Sequence, residues 1–154
     1  MIVVSDTSSL TALITVRRSD ILPALFGEVC VPEAVRDELL RGHASLPEFI
    51  RVVAVQDQQL RKQLSRKLDP GEAEAIVLAR ELEADLLLMD EKAGRREATV
   101  WGVRVIGLMA VLVLAKHRGL IASVQTMAQT LREEAGFRVA NDILLAVFRA
   151  SGEA

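Results

Sequence analysis

Short apolar runs alternate with segments of helical periodicity along most of this 154-residue chain. Four such runs occupy residues 2–4, 29–31, 86–89 and 103–106. Runs of this length that are rich in Val, Ile and Leu predict β-strands. Most of these runs are apolar at every position, so both faces of the resulting sheet must be covered. Strands and helices in alternation therefore predict an α/β domain in which helices flank a parallel sheet.

Helices are predicted between these strands and after the last of them. The segments with helical spacing of apolar residues are 20–26, 33–41, 57–67, 72–83, 92–100 and 108–117. A further helix follows the first strand, with Ser8 or Ser9 as its N-cap. Two more lie within residues 121–149, and we regard them as a candidate partner or dimer surface. Residues 50–55 are either a strand or an edge segment, and a single domain is expected over residues 1–154.

Composition and charge narrow the functional classes. Cys30 is the only cysteine, which excludes an intrachain disulfide, and with only two histidines a zinc site is disfavoured. The formal net charge is −2, so the chain lacks the basic excess of many nucleic-acid-binding domains. RNA is not excluded as a substrate, because an acidic cluster inside a basic rim also gives a total charge near zero. The N-terminus shows no signal-peptide pattern, and the longest apolar run, residues 105–115, is too short to span a bilayer. We therefore expect a cytoplasmic protein that does not enter a membrane.

Two aspartates directly follow predicted strands. Asp6 comes after the first strand, and Asp90 follows the strand at residues 86–89. In a parallel sheet the carboxyl ends of the strands share one edge, where ligands bind. An aspartate after a strand is also a common turn or cap residue, which explains each of them alone at least as well. Their role therefore depends on which other acidic residues reach the same edge.

Glu38 is predicted on the buried side of the helix at residues 33–41. It lies three positions from Val35 and four from Ala34, which belong to the apolar face, whereas Asp37 points away from that face. An ionised carboxylate on an apolar face is costly unless a cation or hydrogen bonds compensate its charge. The structural alternative is a glutamate whose carboxylate reaches solvent at the edge of the helix.

Glu72 has a similar position in the helix at residues 72–83. It shares a face with Ala75 and Ile76, whereas Glu74 lies nearly opposite, because two residues turn a helix by about 200°. The structural alternative is a favourable negative charge in the first turn of the helix.

Four carboxylates can therefore point into one crevice. They belong to Asp6, Glu38, Glu72 and Asp90. Without a cation they would repel one another strongly, and oxygen-rich sites of this kind bind hard cations such as Mg²⁺ or Mn²⁺. A metal held by carboxylates suits phosphodiester hydrolysis, because it activates water and neutralises charge on the phosphate.

The same residues stand within four segments that follow one another in a recognisable order. The segments are Val4-Ser5-Asp6-Thr7-Ser8-Ser9-Leu10, Val31-Pro32-Glu33-Ala34-Val35-Arg36-Asp37-Glu38-Leu39, Leu68-Asp69-Pro70-Gly71-Glu72-Ala73-Glu74-Ala75-Ile76 and Leu87-Leu88-Met89-Asp90-Glu91. In order and spacing they resemble the PIN-domain family, especially the small prokaryotic branch that includes VapC-like toxins. The third segment is similar to that of another PIN-like branch, and the resemblance covers roughly the first 110 residues.

The resemblance implies a fold and a site. The fold is a PIN-like three-layer sandwich, a short parallel sheet with helices on both faces. The catalytic and metal-binding acidic positions of the family fall on Asp6, Glu38, Glu72 and Asp90, and a supporting hydroxyl falls on Ser8. Small PIN toxins usually carry aspartate at the third acidic position, so Glu72 departs from the pattern, and nearby Glu74 is its substitute.

The resemblance also implies an activity and partners. It indicates an endoribonuclease that hydrolyses RNA with Mg²⁺ or Mn²⁺, forms a homodimer, and acts as the toxin of a toxin–antitoxin pair with an antitoxin protein as partner. The alternative is a catalytically inactive PIN-like module that binds another protein. Haloacid-dehalogenase phosphatases fit less well, because their second acidic residue would fall on Ser8.

Basic residues near the predicted site are candidates for RNA binding. Lys92, Arg95 and Arg96 closely follow Asp90 and are the side chains we expect to contact phosphates. No aromatic platform for stacking bases is evident, because Trp101, the only tryptophan, lies at a helix end.

Overall fold

In the computed structural model, which describes residues 1–153, nine helices flank one sheet of five parallel strands. The strands are β1 (Val3–Ser5), β2 (Val29–Val31), β3 (Ile50–Val52), β4 (Leu86–Leu88) and β5 (Val105–Ile106). The helices are α1 (Thr7–Thr15), α2 (Ile21–Phe26), α3 (Glu33–Gly42), α4 (Gln58–Leu64), α5 (Pro70–Glu81), α6 (Lys92–Val100), α7 (Leu108–His117), α8 (Val124–Ala135) and α9 (Asn141–Ser151). The predicted α/β fold, a three-layer PIN-like sandwich, is confirmed.

Successive side chains of the strands enter two separate apolar layers. Val29 and Val31 pack into the layer that α1, α2, α7 and α8 form, whereas Cys30 packs against α4, α5 and α6. In β4, Leu88 belongs to the first layer and Leu87 to the second. Because β2 and β4 contribute to both layers, their sequences are apolar at every position instead of alternating.

The order of the strands, β3-β2-β1-β4-β5, places a crevice between β1 and β4. The chain proceeds from β1 to one edge of the sheet and then crosses back to β4, so the helices on either side of this point diverge. Ser5 is in register with Leu88, and the backbone N–H of Asp6 donates to the Leu88 carbonyl at 3.1 Å. Asp6 therefore lies at the mouth of the crevice, with Asp90 just beyond the neighbouring strand.

The N-cap predicted for the first helix is wrong. α1 begins at Thr7, and Asp6 takes the extended cap conformation, so Ser8 and Ser9 lie inside the first turn. Only Asp6 lies between the end of β1 and the start of α1, so it occupies the N-cap position and the serines follow within the helix. The two serine hydroxyls are thereby directed to carboxylates instead of backbone N–H groups.

Several boundaries also differ from the prediction. The helix expected at residues 72–83 begins earlier, at Pro70, because the Asp69 carboxylate accepts the backbone N–H of Glu72 at 2.8 Å. Three elements are shorter than the segments predicted for them. They are β3, predicted within residues 50–55, α4, predicted at residues 57–67, and β5, predicted at residues 103–106. No helix in residues 1–153 combines the length and the hydropathy needed to cross a membrane.

Glu153, which follows α9, forms hydrogen bonds with the residues at the start of α8. Its carboxylate accepts the backbone N–H groups of Val124 at 2.7 Å and Gln125 at 3.0 Å, the Ser123 hydroxyl at 2.9 Å and the Lys116 ammonium at 3.0 Å. Although burial opposes ionisation, these donors lower the pKa of Glu153 to about 2. The start of α8 and the residues just after α9 are therefore held together.

Candidate functional site

An acidic cavity of about 410 Å³ lies beyond the carboxyl end of β1. The carboxylates that line it belong to Asp6, Glu38, Asp69, Glu72 and Glu91. Three of the four acidic residues singled out from the sequence thus share one cavity. The fourth, Asp90, is not part of the lining, but its charge is near enough to raise the pKa of Asp6.

Asp6 is the most deeply buried of these acids, with 2 % of its surface exposed. Burial, followed by the charge of Asp90, raises its pKa from 3.8 to about 7, although the Ser9 N–H and the Ser8 hydroxyl act in the opposite direction. The Ser8 hydroxyl donates to Oδ2 at 3.4 Å, a weak contact, whereas the buried Oδ1 has no hydrogen-bond partner within residues 1–153. A buried carboxylate oxygen without a donor is costly to ionise unless a cation compensates it.

Glu38 enters the cavity from α3, as the helical phase predicts. It is half-buried, its neighbour Asp37 is exposed, and the Thr7 hydroxyl donates to its Oε2 at 2.5 Å. Gly71 in the first turn of α5 makes room for this carboxylate, because a Cβ there would lie 2.7 Å from Glu38 Oε1. The position of Glu38 thus depends on one hydroxyl and on a residue without a side chain.

Glu72 and Glu74 leave the first turn of α5 in different directions. Glu72 lines the cavity, and a Cβ on Gly94 would lie 3.0 Å from its Oε2. Burial, then the neighbouring Asp69 carboxylate, raises the pKa of Glu72 to about 8. Glu74 instead accepts the backbone N–H of Ala34 at 3.2 Å, in the first turn of α3, and is not part of the cavity lining.

Asp90 is engaged with the start of α7. The Ser9 hydroxyl donates to its Oδ2 at 2.6 Å, and the Leu108 backbone N–H donates to Oδ1 at 3.0 Å. Burial raises the pKa of Asp90, whereas these donors and the nearby Arg95 guanidinium favour the ionised form. The carboxylate therefore links β4, α1 and α7 at the rear of the acidic cluster.

Two acidic residues and one aromatic residue of the cavity are not among the site residues predicted from the sequence. Asp69 and Glu91 were overlooked because each directly precedes a helix, where an acidic residue already has a structural explanation as N-cap. Phe137 follows α8 and lines the far side of the cavity, so an aromatic side chain is present where none had been expected. Its only signal in the sequence is its place beside Gly136, which ends the helix.

The comparisons with known proteins agree with this geometry. A PIN-domain family model matches residues 2–153. This chain belongs to the PIN-domain family. The match extends through α9, beyond the segments that carry the sequence resemblance. A search of curated proteins found no match. PIN domains are generally nucleases, which are hydrolases, and they typically use divalent metals.

The donor set of this PIN domain fits a hard divalent cation. All the candidate ligands are carboxylate oxygens, and Asp6 Oδ1 is a buried oxygen without a donor. Within residues 1–153, no three His, Cys, Asp or Glu side chains come close enough to enclose one metal ion. An all-protein cage is not required, because Mg²⁺ usually keeps several waters and binds through one or two carboxylates together with substrate phosphates.

The basic residues predicted for RNA lie on α6, close to the acidic cluster. Lys92, Arg95 and Arg96 are exposed, and none forms an ion pair in the part of the chain that the structure describes. The guanidinium of Arg95 lies near Asp90, since a Cβ on Gly107 would be 3.0 Å from both side chains. Of the three, Arg95 is the side chain that the structure places beside an acidic residue of the cluster.

Proposed function

We propose that this PIN domain is an endoribonuclease that hydrolyses RNA phosphodiester bonds with Mg²⁺ or Mn²⁺. The observation that carries the proposal is the unpartnered, buried Oδ1 of Asp6 in a cavity lined by four further carboxylates. A cluster of acids of this kind has no evident value for stability, because burial and mutual repulsion oppose ionisation of its members. A cation-dependent reaction explains why they are gathered.

The carboxylates have different roles in this proposal. Asp6 and Glu72 are the residues that would hold the metal, and Glu38 lines the same cavity, where the Thr7 hydroxyl orients it. Asp90 adds a negative charge near Asp6, while its own carboxylate accepts hydrogen bonds from the Ser9 hydroxyl and the Leu108 N–H. A bound metal supplies charge neutralisation at the phosphate and lowers the pKa of a water molecule. Ser8 orients the Asp6 carboxylate.

RNA reaches the cavity past the exposed cations of α6. Lys92, Arg95 and Arg96 contribute positive charge that a polyanion requires at the border of an acidic site. The overall charge of −2 is consistent with this separation of acidic and basic regions. We assign these three residues to phosphate contacts that position the strand and do not read its sequence.

The test is cleavage of a fluorescent single-stranded RNA by purified protein. We expect cleavage with Mn²⁺ or Mg²⁺, none with excess EDTA, and a loss of orders of magnitude in Asp6→Asn. Asp37→Asn is the matched control, because Asp37 is exposed and its ion-pair partner within residues 1–153 is the neighbouring Arg36. Cleavage that continues undiminished after rigorous chelation overturns the metal-dependent mechanism.

The alternative is a PIN domain that has lost its activity and binds a protein partner. The observation that favours it is the lack of a three-ligand cluster within residues 1–153. Thermal stabilisation by Mn²⁺, measured on the same preparation as the cleavage assay, separates the two functions. Stabilisation together with cleavage supports the enzyme, whereas the absence of both, as expected of a site without a three-ligand cluster, supports the binding module.

The partners that the resemblance implies are also part of the proposal. As the toxin of a pair, the enzyme is held inactive by an antitoxin protein and is released to cut RNA. The outer face of α9, where Ile143 and Leu145 are 47 % and 58 % exposed, is the surface we assign to contact between two copies.

A further inference from the structure

A second cavity lies beside the acidic one and shares a side chain with it. This groove, of about 490 Å³, runs between α8 and α9, and Phe137 lines both it and the acidic cavity. Its volume is within the range of small-molecule sites, about 300–1,000 Å³. An extended ligand that leaves the acidic cavity past Phe137 therefore enters this groove directly.

The charge of the groove is opposite to that of the acidic cavity. Arg132 and Arg138 line it, together with the rings of Phe137 and Phe148, and no carboxylate within residues 1–153 contributes to its lining. Neither arginine forms an ion pair in the described part of the chain. Unpaired guanidinium groups beside aromatic rings are the combination that binds single-stranded nucleic acid, because phosphates contact the cations and bases stack on the rings.

The backbone fixes this side of the groove. Gly136 takes the left-handed conformation, with φ of +65°, and ends α8. The N–H of Phe137 then returns to the Leu131 carbonyl at 3.0 Å, which closes the end of the helix. The Phe137 ring is half-buried and packs against the core, and this contact holds it between the two cavities.

We propose that this groove binds the nucleotides of a single-stranded RNA that flank the phosphodiester bond in the acidic cavity. Phe137 stacks a base at the junction of the two cavities, and Arg132 and Arg138 contact the phosphates that follow. The inference rests on the proposed ribonuclease function, since it assigns the continuation of the same substrate. It adds a binding subsite on the two helices that the sequence predicts as a partner or dimer surface.

The test measures binding separately from cleavage. A fluorescein-labelled 12-nucleotide oligouridine is titrated with the Asp6→Asn protein in EDTA, at several KCl concentrations, and its anisotropy is recorded. Replacing both Arg132 and Arg138 by alanine should weaken binding and reduce the slope of log K against log salt by about 1.4, because each phosphate contact on a single strand contributes about 0.7. Phe137→Leu should weaken binding about tenfold with an unchanged slope, because it removes a stacking ring but no charge.

The controls separate a local effect from a general loss of charge or of folding. Arg41 and Arg104 are exposed and lie at the amino edge of the sheet, so their double alanine variant should bind as Asp6→Asn does. Leucine at position 137 keeps an apolar side chain in the core contact, and circular dichroism confirms that each variant is folded. Equal affinities and slopes for the Arg132/Arg138 and Arg41/Arg104 variants overturn the groove as an RNA site, and a protein partner is then the better occupant. Absence of cleavage by wild type overturns the enzyme, whatever the binding result.

Discussion

Replacing Asp6 by asparagine should make the metal-free protein more stable at neutral pH while abolishing cleavage. In the folded protein the pKa of Asp6 is about 7, whereas the ordinary value is 3.8, because the side chain is buried beside other carboxylates. Folding therefore favours the protonated form of this acid. Its protonated state stabilises the fold fully below about pH 4, and this contribution is lost as the pH rises through about 7.

The size of this effect follows from the two pKa values. The difference between 3.8 and about 7 corresponds to about 4 kcal/mol at about 1.4 kcal/mol per pKa unit. This is a large part of the total free energy of unfolding, which is roughly 5–15 kcal/mol for native proteins. Between pH 4 and pH 8, wild type should thus lose about 4 kcal/mol of unfolding free energy that Asp6→Asn does not lose.

The assay is urea unfolding in EDTA at pH 4, 6 and 8, followed by circular dichroism. Asp37→Asn serves as the control, because an exposed ion pair contributes at most about 1 kcal/mol. Saturating Mn²⁺ should raise the unfolding free energy of wild type at pH 8, whereas that of Asp6→Asn should not change. Unfolding free energies of wild type and Asp6→Asn that run parallel from pH 4 to pH 8 would refute the reasoning, and Asp6 would then be a structural cap.

Three further predictions concern the remaining acids and the biological setting. Glu72→Gln should lower RNA turnover by orders of magnitude. Glu74→Gln should lower it only a few-fold, because Glu74 accepts the Ala34 N–H, a contact that glutamine can keep. A larger loss of turnover in Glu74→Gln than in Glu72→Gln would exchange their roles. Gly71→Ala should reduce cleavage about tenfold with little change in melting temperature, because the new Cβ meets only the end of the flexible Glu38 side chain. A fall of several degrees in melting temperature would instead assign Gly71 to packing. Expression of the chain alone should slow bacterial growth in an Asp6-dependent manner, and a small protein from the adjacent gene should relieve this; equal arrest by Asp6→Asn would separate toxicity from catalysis.

The order of strands and helices could be predicted from the sequence because the apolar runs of β2 and β4 have no polar face. Such runs are stable only in a sheet covered by two layers, and the fully buried Leu87 and Leu88 occupy both. Helical phase alone separated Glu38 from Asp37 and Glu72 from Glu74, since it depends only on residue spacing.

What could not be predicted depends on contacts between residues far apart in the chain. The Ser9 hydroxyl bonds Asp90, which is 81 positions away, so local rules assigned Ser9 to a helix cap instead. Phe137 reaches the acidic cavity only because α8 packs against α1, a contact without a signature in either segment. Nothing in the local sequence around Gly71 indicates that it leaves room for the Glu38 carboxylate, which belongs to another helix.

The fold itself reduces the cost of gathering these acids, but not sufficiently. Asp6, Asp69 and Glu91 are the N-cap residues of α1, α5 and α6, and Asp90 bonds the first N–H of α7. In a parallel sheet all these helix starts point to the carboxyl edge, so their positive ends surround the cavity. Each helix end favours a nearby carboxylate by about 0.3–1 kcal/mol. With the Ser9 N–H already included, the raised pKa of Asp6 still corresponds to about 4 kcal/mol against ionisation, relative to the unfolded chain. The helix ends explain why the acids are tolerated at this edge. At neutral pH, either a proton or a divalent cation must compensate the rest of the charge, and the two compete for the same oxygens of Asp6.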